Sequence, residues 1–197
     1  MIKRLLLKLY IPAVNIKRKW VNFILPNIFR RKMIKTLDTP ICQQKVLITG
    51  EGLVEIGKNC AFGFKLGGFN RRGCIELQAR YASAKIKIGN RVSVNNNLFI
   101  CSANRIEIGD ETLIGQNVTM MDFEAHGTHP DKRREIGNIG EIIIHDNVWI
   151  GNNVMILRDT HIGKNTIVAG GAVVKGVFPD NVIIGGVPAT IIKNILV

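Results

Sequence analysis

Residues 144–179 read IHDNVWIGNNVMILRDTHIGKNTIVAGGAVVKGVFP, and they divide without remainder into six consecutive hexads. The opening positions are Ile144, Ile150, Ile156, Ile162, Val168 and Val174, all aliphatic and branched at Cβ. The fifth positions, Val148, Val154, Thr160, Thr166, Ala172 and Phe178, are mostly small or β-branched. A period of six is neither the 3.6-residue helix nor the two-residue alternation of an ordinary strand. It fits short strands of about four residues joined by two-residue turns, three to a coil, with one aliphatic side chain per hexad directed inward. Gly and Asn crowd the second to fourth positions, where turns demand them. Stacked coils of this kind make a β-solenoid around a column of Ile and Val.

The same register runs upstream through IGKNCA from 56, IGNRVS from 88, VNNNLF from 94, IGDETL from 108 and IGQNVT from 114. It is then lost between the hexads that open at Ile114 and Ile144. An insertion in a solenoid must leave the coil stack, so residues 121–141 are expected to protrude as a loop. This stretch is polar but opens on Met120 and Met121, which tie it to the core, and it holds His126 and His129. The organisation expected is a basic N-terminal segment over 1–42, a solenoid over 43–185 and a C-terminal tail over 186–197.

The net charge of +12 is concentrated at the N-terminus. Residues 1–40 carry ten Lys or Arg against a single acid, Asp38, so the basicity belongs to an appendage and does not argue for a nucleic-acid-binding main domain. The longest apolar run there, Leu5–Leu7, is far below the roughly 20 residues that span a bilayer and too short for a secretory h-region. Pro12 and Pro26 divide the segment into short helical pieces. Two readings stand. Basic residues beside Trp20, Phe23 and Phe29 suit a helix lying on an anionic membrane surface. A helical cap that packs on the solenoid and turns its Lys and Arg outward is the other, plainer one. Cys42, Cys60, Cys74 and Cys101 lack CxxC spacing, which excludes a zinc ribbon and points to reduced thiols in the cytosol, with the membrane reading adding contact at its inner face.

Residues 146–189, DNVWIGNNVMILRDTHIGKNTIVAGGAVVKGVFPDNVIIGGVPA, resemble the hexapeptide-repeat acyltransferases, and the VWIG and GVPA segments resemble the sugar O-acetyltransferase branch. The resemblance is clear over about residues 88–193 and weaker over 45–87. It implies a mainly β fold, a left-handed parallel β-helix, contrary to the usual right-handed crossover. It also implies acetyl-CoA as co-substrate, no metal, and a homotrimer with active sites between subunits.

Asp122-Phe-Glu124-Ala-His126 resembles the Asp-x-Asp-x-His element of this family, with Glu124 in place of the second Asp. The resemblance makes His126 the catalytic base. The continuation GTHPDKRR resembles the family's Asp-Pro-x-x-Arg, with His129 where an Asp is more common, and marks His129 and Arg133 as acceptor-binding candidates. The chemistry agrees with these residue types. A sugar hydroxyl attacks a thioester poorly until a base takes its proton, and neutral imidazole suits that task. Asp122 or Glu124 is expected to fix the imidazole tautomer, leaving the other to bind acceptor hydroxyls. Turn amides of a neighbouring coil would serve the tetrahedral oxyanion.

For the acyl donor, the resemblance assigns the pantetheine groove to Trp149, Gly151, Ala169 and Gly170, where small residues let a thin chain approach the backbone. Lys175 and Lys193 are candidate partners of the CoA phosphates. Pro188 belongs to the Gly-x-Pro-Ala element beside the adenine end. A related β-helix class, the gamma-type carbonic anhydrases, binds metal through histidines of which two lie five residues apart. His126, His129, His145 and His161 lack that spacing.

These observations predict an acetyl-CoA-dependent O-acetyltransferase of a saccharide, lipid-linked if the membrane reading holds, serving exopolysaccharide, capsule or lipopolysaccharide synthesis. N-acetylation of an amino sugar, a small-molecule acceptor, and a non-catalytic β-helix scaffold are the alternatives. The scaffold predicts an unbroken run of hexads, which residues 121–141 contradict.

Overall fold

The computed structural model describes residues 16–68 and 72–196, and the part of the N-terminal expectation that rests on residues 1–15 lies outside them. The hexads form the coils of a left-handed parallel β-helix with three faces. One face stacks Ile34–Thr36, Leu53–Ile56, Lys85–Ile88, Arg105–Ile108 and Glu141–Ile144. A second stacks Ile41–Cys42, Ala61–Phe62, Ser93–Val94, Leu113–Ile114, Trp149–Ile150, Ile167–Val168 and Val182–Gly186. The third stacks Val46–Gly50, Ile75–Ala79, Phe99–Ser102 and Thr119–Met121. The strand Met155–Ile162 turns a corner and joins the first and third faces into one sheet.

Each corner needs a residue in the left-handed region. Asn59, Asn97, Asn117, Asn147, Asn153, Asn165 and Asn181 occupy it, together with Arg91, Glu111 and Asp159, at φ between 56° and 65°. Asn tolerates this conformation better than other side chains, because its short amide bonds locally. Here those amides also bond one another from coil to coil. Asn97 donates to Asn117 at 3.0 Å and Asn117 to Asn153 at 2.9 Å, while Asn147 donates to Asn165 and Asn165 to Asn181.

The opening aliphatics of the hexads, Ile144 through Val174, are buried as expected. The fifth positions are buried too, Val148, Val154, Thr160, Thr166, Ala172 and Phe178 included, so each hexad sends two side chains inward, not one. The turn reverses the chain just before each strand and tips the fifth side chain toward the axis. Thr160 and Thr166 are admitted because their hydroxyls donate to backbone carbonyls, Thr160 to Leu157 at 2.6 Å and Thr166 to Pro179 at 3.0 Å.

The outer surfaces of the faces differ. The first carries an in-register row of alternating charge, Lys35, Glu55, Lys87 and Glu107, with Lys85 bridging to Glu55 at 2.8 Å. On the second face, Ile41, Leu113 and Trp149 are exposed.

Both ends of the stack are covered. Residues 16–33 are helical, and Asn27, buried, donates to the carbonyls of Phe23 and Val46 and accepts from the Ile48 amide at 2.7 Å. Arg30 donates to the Gly50 carbonyl at 2.9 Å. The helix therefore lies over the open edge of the first coil, an edge that would otherwise invite pairing with another chain. At the other end the strand Ala189–Asn194 pairs antiparallel with Val182–Gly186, the one antiparallel strand pair among the described residues, so residues of the C-terminal tail form sheet.

Two excursions leave the stack. Glycines 89 and 109 occupy the same corner 20 residues apart, whereas Asp110 and Asp146 lie 36 apart, and the difference is the expected loop. A second excursion, after Phe62, separates Phe64 from its partner Asn96 by 32 residues. The sequence reading gave only a weaker resemblance there.

Candidate active site

The loop after Met121 is a hairpin of its own. Its legs are joined at Phe123 and Ile139 by an antiparallel bridge, and by bonds from the Glu124 amide to Asn138 and the Gly127 amide to Glu135. Phe123 is buried against Cys101 and Ala103 outside the main core, with the Arg80 guanidinium 5.2 Å above its ring. Gly137 packs so close that a Cβ would lie 2.7 Å from the His126 carbonyl and 2.8 Å from the Glu124 Cβ. The tip turns through a short 3-10 helix, Pro130–Lys132.

His126 stands exposed on this hairpin, with Nδ1 2.7 Å from the carbonyl oxygen of Arg133. A carbonyl only accepts, so Nδ1 carries the proton and Nε2 keeps a free lone pair. That is the state a general base needs. The tautomer was expected to be fixed by Asp122 or Glu124, and the geometry gives that task to a main-chain carbonyl.

The two carboxylates serve elsewhere. Asp122 is fully buried and accepts four hydrogen bonds, from the Ser102 hydroxyl at 2.6 Å and the amides of Ala103, Asn104 and Arg105 at 2.6, 3.1 and 2.7 Å. It pins the root of the hairpin to the neighbouring corner and has no contact with His126. Glu124 accepts from Arg158 Nε at 3.0 Å and Nη2 at 2.8 Å, and from the Asn138 amide. The Arg158 hydrogen bond, with that from Asn138, holds its carboxyl below the ordinary value. Arg158 also pairs with Asp159. This ion pair latches the hairpin to the coil beneath it, and Arg158 is a site residue that the motif did not disclose.

His129 does not join His126. Its Nδ1 accepts from the Asp131 amide at 3.3 Å and so caps the tip. The Arg133 side chain donates to the Gly127 carbonyl at 3.3 Å and braces the loop from within. His161 pairs with Glu141 at 3.0 Å on the charged face. Among the described residues no group of three or more His, Cys, Asp or Glu is placed to hold a metal.

The donor candidates lie on another edge of the prism. Trp149 is 54% exposed on the second face, beside Leu113 in the strand below and Ile167 in the strand above. Phe64, Asn95, Leu113, Gly115, Trp149 and Asn152 line a groove of about 380 Å³ on this face. Just past these strands Gly115, Gly151, Ala169 and Gly185 stack at successive corners. A Cβ on Gly151 would lie 2.6 Å from the Gly170 amide nitrogen, so the corner is closely packed backbone. Lys175 and Lys193 are exposed on the last strands, and Pro188 follows a cis peptide bond in the turn between the two antiparallel strands. Asn96, which no motif singled out, is fully buried and holds the second excursion, its amide donating to the Phe64 and Gly68 carbonyls at 2.9 and 2.8 Å.

The chain matches the family model for bacterial transferase hexapeptide (six repeats) over residues 141–176. It is 29% identical over 189 residues to galactoside O-acetyltransferase of Lactococcus lactis, covering 95% of this chain and 84% of that protein. Over 161 residues it is 31% identical to WbbJ of Escherichia coli K12, by name an O-acetyl transferase of lipopolysaccharide biosynthesis, with 75% of this chain and 74% of that one aligned. Among solved structures, the fold is shared by a galactoside acetyltransferase in complex with coenzyme A (TM-score 0.53, 23% identity, 94% of this chain and 82% of that). It is also shared by the Bacillus cereus N-acyltransferase AntD in complex with dTDP and coenzyme A (TM-score 0.63, 19% identity, 86% and 88%).

Proposed function

Because this chain belongs to the hexapeptide-repeat acyltransferases, we propose that it transfers an acetyl group from acetyl-CoA to a hydroxyl of a saccharide, with His126 as the general base. The observation that carries this reading is the bond from His126 Nδ1 to the Arg133 carbonyl, which makes Nε2 the acceptor nitrogen of the neutral ring on an exposed loop. The acceptor hydroxyl gives its proton to Nε2 as its oxygen bonds to the thioester carbonyl carbon. The C–S bond of the tetrahedral adduct then breaks, and the departing CoA sulfur takes the proton from the imidazolium. No covalent enzyme intermediate is needed.

The proposed site is shared between subunits of a homotrimer. His126 and the Trp149 groove lie on different edges of one prism, so the hairpin of one subunit serves the donor groove of its neighbour. Exposed Leu113 and Trp149 give the second face the apolar character that such packing uses. Gly151, Ala169 and Gly170 would admit the pantetheine arm, with Lys175 and Lys193 toward the CoA phosphates and Pro188 toward the adenine. The likeness to WbbJ, named for lipopolysaccharide biosynthesis, supports an acceptor within a surface saccharide, and we place the reaction in exopolysaccharide, capsule or lipopolysaccharide synthesis in the cytoplasm.

Release of CoA thiol from acetyl-CoA, followed against a panel of saccharides, tests the reading. A saccharide-dependent rate that disappears in His126→Ala supports it. A productive amino sugar with an N-acetyl product would move the reaction to nitrogen, and no rate together with no acetyl-CoA binding would overturn it.

A further inference from the structure

The helix over residues 16–33 has one side committed to the solenoid and another left bare. Phe23 and Asn27 are buried against the first coil. Trp20, Val21, Leu25 and Phe29 are exposed, Phe29 to 98%. From residue 16 to 37 there is no acidic side chain, whereas Lys17, Arg18, Lys19, Arg30, Arg31, Lys32 and Lys35 are basic. A cap that served the coil edge alone would need neither the bare aromatics nor a one-signed charge. The cap, one of the two readings of the sequence, accounts only for the side that holds Phe23 and Asn27.

We propose that the bare side of the helix 16–33 docks on an anionic lipid surface. Charge complementarity selects this occupant. A second copy presenting the same exposed cations, Lys17, Arg31 and Lys32, would be repelled across the contact. Anionic headgroups instead attract Lys and Arg, while Trp20, Leu25 and Phe29 enter the boundary between headgroups and acyl chains. The segment runs through a π-helical turn, Trp20–Ile24, into a 3-10 helix, Leu25–Met33, and its bonds to Val46, Ile48 and Gly50 fix it to the end of the stack. The first coil then lies against the membrane. The hairpin strand, Thr119–Met121, stands three rungs above Val46–Gly50, roughly 14 Å at strand spacing. None of the helix residues belongs to the proposed acetyl-transfer site, so docking and catalysis can fail separately.

The test is flotation of the full chain with vesicles of phosphatidylcholine alone and with about 30% phosphatidylglycerol, at roughly 0.1 M and 0.5 M salt. The expected result is binding to the anionic vesicles only, released by salt. It should fall about tenfold both in Leu25→Ser/Phe29→Ser and in Lys17→Gln/Arg31→Gln/Lys32→Gln, with melting temperature and acetyl transfer to a soluble saccharide kept. In Trp149→Phe, Trp20 is the sole indole, and its emission should shift to the blue with anionic vesicles. No binding, equal binding to neutral vesicles, or undiminished binding by the Leu25/Phe29 variant would overturn the proposal. So would a change of mass in light scattering on Phe29→Ser, which would make the surface a protein interface.

Discussion

The imidazole of His126 is held by the backbone of Arg133, seven residues further along the same hairpin, at 2.7 Å. The proposed base and its tautomer lock therefore travel together on one loop. The side chain of Arg133 takes no part in the lock, since only its carbonyl is used.

Substitution at His126 should act on the chemical step alone. His126→Ala is expected to lower kcat about a thousandfold, within the usual range for a positioned base, with an unchanged melting temperature because the ring is exposed. His129→Ala, which removes a cap at the tip, should cost less than about tenfold. Thiol-release kinetics on both variants separate the two histidines.

The latch between Glu124 and Arg158 should govern how well His126 is placed. Arg158→Ala is expected to lower kcat about ten- to a hundredfold while leaving the fold cooperative, because small misplacements of a catalytic group are costly. Glu124 is held below its ordinary value by Arg158, so the contribution of the latch is present above the unfolded value and is lost as pH falls through the lowered folded value. Carboxyl-carbon NMR should find Glu124 titrating below a free glutamate in the wild type and nearer to it in Arg158→Ala, where the Asn138 hydrogen bonds remain. Equal titration curves would refute the latch.

Asp122 belongs to stability. Asp122→Ala leaves the Ser102 hydroxyl and the amides of Ala103, Asn104 and Arg105, the last two part-buried, without their acceptor and is expected to cost about 3 kcal/mol in denaturant unfolding. Any loss of activity should follow the loss of folded protein.

The asparagine ladder offers a test with an internal control. Asn117→Ala forces a Cβ residue without a locally bonding side chain to keep φ near 59° and removes two ladder bonds, for a loss of about 2 kcal/mol. Asn117→Gly restores the backbone but not the ladder and should recover about half of that.

Trp149→Ala should raise KM for acetyl-CoA roughly tenfold with little change in kcat, the pattern of lost uniform binding. An unchanged KM would remove this residue from the donor groove.

The coils were legible because a period of six is imposed by the backbone. Most turns take Gly or Asn, and the strands open on an aliphatic residue, wherever the coil sits. The excursion after Phe62 obeys no period, so it registered only as a weakening of the pattern. In the hairpin, His126 could be found by its motif, but the group that orients it could not, since every residue has a carbonyl. The role of Asp122 has a local signal: Val118, Met120 and Asp122 alternate with the half-buried Thr119 and Met121, and the alternation carries the carboxylate inward. Its likeness to a catalytic motif drew attention from that simpler period. Arg158 lies 34 residues from Glu124, and no local spacing connects them.

One feature of the stack reaches beyond this chain. Arg105–Ile108 pairs residue for residue with Glu141–Ile144, although 36 residues separate the partners and a hairpin lies between them. The coil closes beneath the hairpin as though nothing had been inserted. A barrel so indifferent to its insertion is a chassis, and the hairpin is an interchangeable cartridge. A lineage can exchange the cartridge without renegotiating the fold that carries it.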